Sequence, residues 1–198
     1  MQKRSVETRG RILATSAELF SIHGYDATGV AEICQTAGVS KGAFYHHFPS
    51  KHAVFLALLN NWLDSLQTYL SAFQQEKTTI PRSLVGMASL MDFIFETARG
   101  RLPVFLEFWL QASRDPDVWN ASIQPYRHFQ AYFASLVEKG IAEGSIRPID
   151  AQQVARAIVS LAIGLLLQGL LDPQAADWGQ AAQESVRFLM NGIAINDE

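Results

Sequence analysis

The chain has 198 residues, 48% hydrophobic and 18% charged, with a formal net charge of −3, which supports one or two cored domains and excludes an extended disordered chain. Its longest nearly uncharged stretch, 157–171, is shorter than the roughly 20 apolar residues that cross a bilayer, so no membrane span is expected. The polar start MQKRSVETRGRIL has no apolar signal region, which points to the cytoplasm.

With Cys34 the lone cysteine, no internal disulfide and no Cys-based zinc or redox framework can form. The charge is unevenly spread. Residues 1–52 hold six Lys/Arg against four Asp/Glu, and residues 53–198 hold ten against fifteen. Four of the five histidines (His23, His46, His47 and His52) also fall in the first segment. A small anion-facing module on a larger acidic body is the pattern this suggests.

Gly and Pro divide the chain into about nine helical segments with no alternating strand pattern, so the class is all-α. Ile12, Leu13, Ala17 and Phe20 form the apolar stripe of a first helix that stops at Gly24 in a left-handed conformation. Val30, Ile33, Cys34 and Ala37 stripe a second, capped by Thr28. Gly38 then supplies a turn, Val39 an apolar plug, and Ser40 the cap of a short third helix, 41–47. Helix, glycine turn, helix is the helix-turn-helix pattern.

At 100° per residue Phe44 and Phe48 turn inward, while Gly42, Ala43, Tyr45 and His46 face out, flanked by Lys41 and His47. That outward face suits a DNA major groove. The N-terminal amides and Lys41 can hold phosphate, Gly42 permits close approach, and the Ala43 methyl can touch a thymine methyl. Ser50-Lys51 opens a fourth helix and offers a further phosphate site.

The run from Thr28 to Lys51, TGVAEICQTAGVSKGAFYHHFPSK, closely resembles the DNA-binding signature of the TetR family of bacterial transcriptional regulators, as do Ala17-Glu18-Leu19-Phe20 and His23-Gly24-Tyr25 before it. Cys34 stands where the family usually has Ala, a change a small buried thiol accommodates. The resemblance implies phosphate contacts from Thr28, Tyr45, His47 and Lys51, and base-edge contacts from Ser40, Lys41, Gly42, Ala43 and His46. It further implies a DNA-binding domain over 1–52 and a helical domain over 53–198 that takes a small molecule and dimerises through its last two long helices.

In that second part, helix starts are expected near Pro116 and Pro173, each preceded by an Asp that can cap, and a kink or break near Pro125. Segment 151–171 places Ala157, Ser160, Leu161 and Gly164 on one face, and segment 174–194 places Ala182, Val186 and Leu189 on another. These are the candidate dimer residues. Aromatic residues crowd 62–133, where they serve a core or a pocket equally well. A pocket would draw on Phe93, Glu96, Phe105, Phe108, Trp109, Tyr126 and Phe129. Asp92, Glu96 and Glu107 could orient a cationic group, although an apolar or aromatic effector fits the composition better.

No metal, cofactor or catalytic role is expected. His46, His47 and His52 lack a completing ligand, Cys34 and His128 lack partners for redox or catalytic work, and no Ser-His-Asp order, phosphate loop or HExxH occurs. The expectation is a homodimeric, ligand-released repressor on a palindromic double-stranded DNA operator. The alternative is a DNA-organising or partner-binding protein of the same fold that senses no small molecule.

Overall fold

The computed structural model describes residues 2–73, 78–98 and 102–195, without the side chains of 2, 3, 96–98, 102 and 103. The described residues form eleven helices and no strand: α1 (Gln2–Ala27), α2 (Val30–Ala37), α3 (Lys41–His47), α4 (Lys51–Ala72), α5 (Ile80–Ala88), α6 (Leu90–Ala98), α7 (Leu102–Ala112), α8 (Pro116–Ser122), α9 (Gln124–Ala142), α10 (Ala151–Leu171) and α11 (Trp178–Asn191). Single non-helical residues, Ser89 and Ile123, separate α5 from α6 and α8 from α9. Joining those pairs gives the nine segments expected. Pro125 accordingly sits in the first turn of α9, where its missing N–H removes no helical bond.

The chain packs as two compact units, 1–64 with 99–124, and 65–98 with 125–198. By packing, the first unit therefore runs past residue 52 and recruits α7 and α8. The reason is aromatic. Phe55 of α4 and Phe108 of α7 stack with centroids 4.0 Å apart, and both meet the edge of Tyr25 at 5.4 Å. Ile12, Phe20, Ile33, Phe44, Phe48, Val54 and Leu59 close the same core. Such buried rings bring large apolar areas out of water.

In the second unit α11 packs on α5, α6 and α10. Leu84, Met87, Met91, Ile94, Val137, Ile158, Val186 and Met190 are buried there. Gly140 lets Ile80 and Ile146 close over α9, since a Cβ there would lie 2.6 Å from the Ile146 side chain. The Ile146–Ala194 bridge ties the α9–α10 loop to the end of α11.

Helix ends follow local capping chemistry. Asp115 caps α8, accepting from Asp117 and Val118 N–H, and Asp150 caps α10 through Gln152 and Gln153 N–H. The expected start at Pro173 is corrected. Asp172 closes α10, and Asp177 caps α11 by accepting Gln180 N–H at 2.9 Å. Asp172 is already the C-cap of α10, so the next helix opens at Asp177, and the Trp178 indole N–H donates to Asp172 O. The α10 helix begins before that uncharged stretch and runs from Ala151 through Arg156 into it. At 21 residues it is, among the described helices, the one long and apolar enough to cross a membrane by length and composition.

Candidate nucleic-acid interface

The turn between α2 and α3 rests on Gly38, whose φ of 63° is the left-handed conformation that glycine adopts most readily. Its N–H donates to Gln35 O and that of Val39 to Cys34 O, closing the C-terminus of α2. Ser40 Oγ then accepts Ala43 N–H at 3.1 Å and starts α3. Phe44 and Phe48 are buried and pin α3 to the first two helices. The opposite face is open: Ser40, Lys41, Gly42 and His46 are exposed, Tyr45 is 53% exposed, and Ala43 and His47 are half-buried. His46 and His47 lie edge to face at 5.1 Å.

Thr28 and Lys51 are placed differently from the expectation. The Thr28 side chain is fully buried, and its hydroxyl donates to Gly24 O at 2.8 Å and Leu19 O at 3.3 Å. The residue that caps α2 is Gly29, with no side-chain bond. Lys51 Nζ donates to Tyr25 O at 2.7 Å, Thr28 O at 3.0 Å and Asp26 O at 3.3 Å, and lies 4.3 Å from the Tyr25 ring centre. An ammonium has three donors, so this head is fully occupied. Burial pushes the Lys51 pKa down, against the pull of Asp26 and Glu107.

Both placements share one cause, which is the way α1 ends. Gly24 breaks the helix at φ 82° and ψ 168°, positive in φ as expected but extended in ψ. The break leaves carbonyls and amides of 24–28 without helical partners. Lys51 takes the carbonyls. From α7, Glu107 Oε2 accepts the Tyr25 N–H at 2.8 Å and that of Asp26 at 3.4 Å, and Gln111 donates to Asp26 Oδ2 at 2.8 Å. The positive φ of Gly24 favours glycine there, and a Cβ on it would stand 2.9 Å from the Glu107 carboxylate. Glu107 thus serves the backbone, where the sequence suggested a cationic ligand. Its role was illegible because the residues it serves lie some eighty positions earlier.

The pocket candidates are shared between the two units. Phe105, Phe108 and Trp109 belong to the first unit, and Phe93, Tyr126 and Phe129 to the second. Phe108 has no exposed surface and is core; the Glu96 side chain lies outside the described residues. Phe105 packs on Phe55 and Trp62, and Phe93 meets the edge of Tyr69 at 4.9 Å. Trp109 and Tyr126 are exposed, and the Tyr126 hydroxyl accepts from Gln130.

Among the dimer candidates, Ala182 and Val186 are buried inside the second unit and are corrected to core. Ser160 is exposed, while Ala157, Leu161, Gly164 and Leu189 are half-buried. The apolar residues left open on these helices are Ile163, Leu167, Leu171 and Phe188, the last two about three-quarters exposed. Tight backbone approach occurs at Gly169, where the Phe95 ring lies against the glycine, whereas a Cβ on Gly164 would meet nothing within 4 Å. Among the described residues no three His, Cys, Asp or Glu are grouped to hold a metal.

The family described as bacterial regulatory proteins, tetR family, matches residues 12–58, and that described as BetI-type transcriptional repressor, C-terminal, matches residues 88–193. This chain belongs to the TetR family. The HTH-type transcriptional regulator UidR of Escherichia coli is 26% identical over 196 residues, 98% of this chain and 96% of that one. The HTH-type transcriptional activator FasR of Mycolicibacterium smegmatis is 25% identical over 189 residues, 95% of this chain and 84% of that one. A solved structure of a transcriptional regulator from Saccharomonospora viridis, in complex with choline, superposes with a TM-score of 0.75 at 22% identity, covering 96% of this chain and all of that one. TetR-family proteins are transcriptional regulators rather than enzymes, so this TetR-family chain is a DNA-binding regulator of transcription.

Proposed function

We propose that this regulator is a cytoplasmic, homodimeric repressor that binds a palindromic operator and leaves it when a small molecule binds. The observation that carries the reading is α3, a helix capped by Ser40 and anchored by Phe44 that leaves Lys41, Gly42, Tyr45 and His46 open to solvent. Ser40, Lys41, Gly42, Ala43 and His46 are assigned to base edges, with Tyr45 and His47 on phosphate. Thr28 and Lys51 are withdrawn from that set because their polar atoms are used within the chain. The DNA-binding part is 1–52 and the regulatory part 53–198, with α4 running from one into the other.

Repression is supported by the repressor type of the C-terminal match. Dimerisation is supported by the open apolar residues of α10 and α11 and by the two half-sites that helix-turn-helix dimers read. An apolar or aromatic effector suits the many aromatic residues of 62–133. The choline held by the Saccharomonospora protein makes a quaternary ammonium, which aromatic faces attract, the first compound to screen.

Selection of duplexes from random sequence by the full-length protein should return one short palindrome. His46→Ala should then lose affinity unequally across operator positions, by about 1 to 3 kcal/mol where the contact is lost. Equal loss on operator and scrambled DNA would remove His46 as a base reader. Compounds that raise the melting temperature should also release the operator. Stabilising compounds that leave operator affinity unchanged would favour a DNA-organising protein without signalling.

A further inference from the structure

Phosphate neutralisation supplies most of the affinity of a DNA-binding protein, so its cations must lie where the duplex passes. Between residues 28 and 52 the Lys/Arg residues are Lys41 and Lys51, and Lys51 donates all three of its protons to backbone carbonyls. Four of the six cations in the first 52 residues, Lys3, Arg4, Arg9 and Arg11, instead lie in the first three turns of α1. The described side chains of this set are exposed. The contact of a basic with an acidic side chain found within 4 Å among the described residues is His23 Nε2 with Glu32, so Arg4, Arg9 and Arg11 have no carboxylate partner there, and Glu7, which stands between Arg4 and Arg11, pairs with neither.

Two of these arginines bracket the recognition helix. The Arg9 guanidinium lies 5.0 Å from the ring centre of Phe48, the residue that ends α3. An Arg11 nitrogen lies 3.9 Å from where a Cβ of Gly38 would stand, in the turn before α3. Arg4 stands two turns from Arg11 on the same exposed face of α1. A helix seated in the major groove has a phosphate strand on either side, and guanidinium groups recognise phosphate through paired N–H donors.

We infer that the first three turns of α1 bind phosphate, Arg4 and Arg11 from one face of the helix and Arg9 from the side that meets Phe48, so that the three hold the DNA backbone beside the recognition helix. This rests on α3 as the base-reading helix and adds the cations that α3 and the start of α4 do not supply. Holding the backbone through α1 fixes the register of α3 without contributing sequence preference.

The test uses the full-length protein, the duplex it selects from random sequence, and a scrambled duplex of equal length, titrated from about 50 to 200 mM salt. Each of Arg4→Gln, Arg9→Gln and Arg11→Gln should flatten the log–log salt dependence by about 0.9, and the triple variant by about 2.7. Both duplexes should weaken by the same factor. The Arg→Lys forms should keep the wild-type slope, and unchanged melting temperatures should show that packing on Phe48 is not the cause. A triple variant with the wild-type slope, or a loss confined to the selected duplex, would overturn the inference. Wild-type protein that prefers no duplex would overturn base reading by α3 while the slopes still judge the arginines. Wild-type protein that binds no DNA would overturn both.

Discussion

Lys51 shows how a residue at the right place in a motif can be taken by the fold. A lysine at the start of α4 next to a phosphate would raise the salt dependence of DNA binding, but its ammonium satisfies three carbonyls of the α1–α2 connection. Lys51→Ala should therefore lower folding stability by about 1 to 3 kcal/mol, as expected for charge-assisted bonds lost with their acceptors left unpaired. The salt slope of DNA binding should stay as in wild type. Denaturant melts and salt titrations of the same variant check both halves. His52, one position on, packs against the rings of Tyr25 and Phe108. Burial holds its pKa below the ordinary 6.5, with Lys51 pushing the same way and Asp115 opposing. Between the folded and unfolded pKa the unfolded chain binds more protons, so this contribution is fully present above about 6.5 and is lost as pH falls through that window. His52→Gln should show a smaller drop in melting temperature from about pH 7.5 to 5.5 than wild type. An equal drop would assign the acid sensitivity to other groups.

At the level of elements, what could be read from the sequence was what is decided within a few residues. Gly38 and Ser40 announce the end of α2 and the start of α3, and the apolar segment expected over 151–171 is α10, Ala151–Leu171. The start of α11 was missed because Asp172 and Asp177 can both cap a helix, and it is the end of α10 that takes Asp172 as its C-cap and leaves Asp177 to open α11. The outward face of α3 was legible for the same local reason, since periodicity alone sets which residues oppose Phe44. The inward use of Thr28 and Lys51 was not, because it follows from the broken end of α1 and from α7, far along the chain. That long-range support is a prediction of its own. Glu107→Ala removes the acceptor for the Tyr25 and Asp26 amides, so hydrogen exchange at those two positions should accelerate, with a stability loss of about 1 to 3 kcal/mol. Amides in α10 and α11, in the other compact unit, should exchange as in wild type. Unchanged exchange at Tyr25 and Asp26 would mean that Lys51 alone holds the turn.

For the whole molecule the open question is assembly, and α10 states it most sharply. The helix is apolar enough for a membrane by composition, yet Val154, Ala155, Ile158, Val159 and Leu165 are buried within the chain. Ile163, Leu167 and Leu171 remain on its other side, and Phe188 of α11 is 75% exposed. In the proposed dimer a second copy of α10 and α11 covers these open apolar side chains. Gly164 separates assembly from folding. A Cβ there meets nothing within 4 Å of its own chain, so Gly164→Leu should fold with a wild-type melting profile at concentrations where the protein is monomeric. In a dimer the same side chain would have to fit against the partner, and overpacking of this kind costs about 1 to 3 kcal/mol. Sedimentation should show weakened self-association for Gly164→Leu and a monomer for Leu167→Glu combined with Phe188→Glu. Each monomeric variant should lose the palindrome's advantage over a single half-site, since linking two half-site contacts is what gives the pair its avidity. Full dimerisation of the double glutamate variant, with normal palindrome binding, would place the interface on other helices.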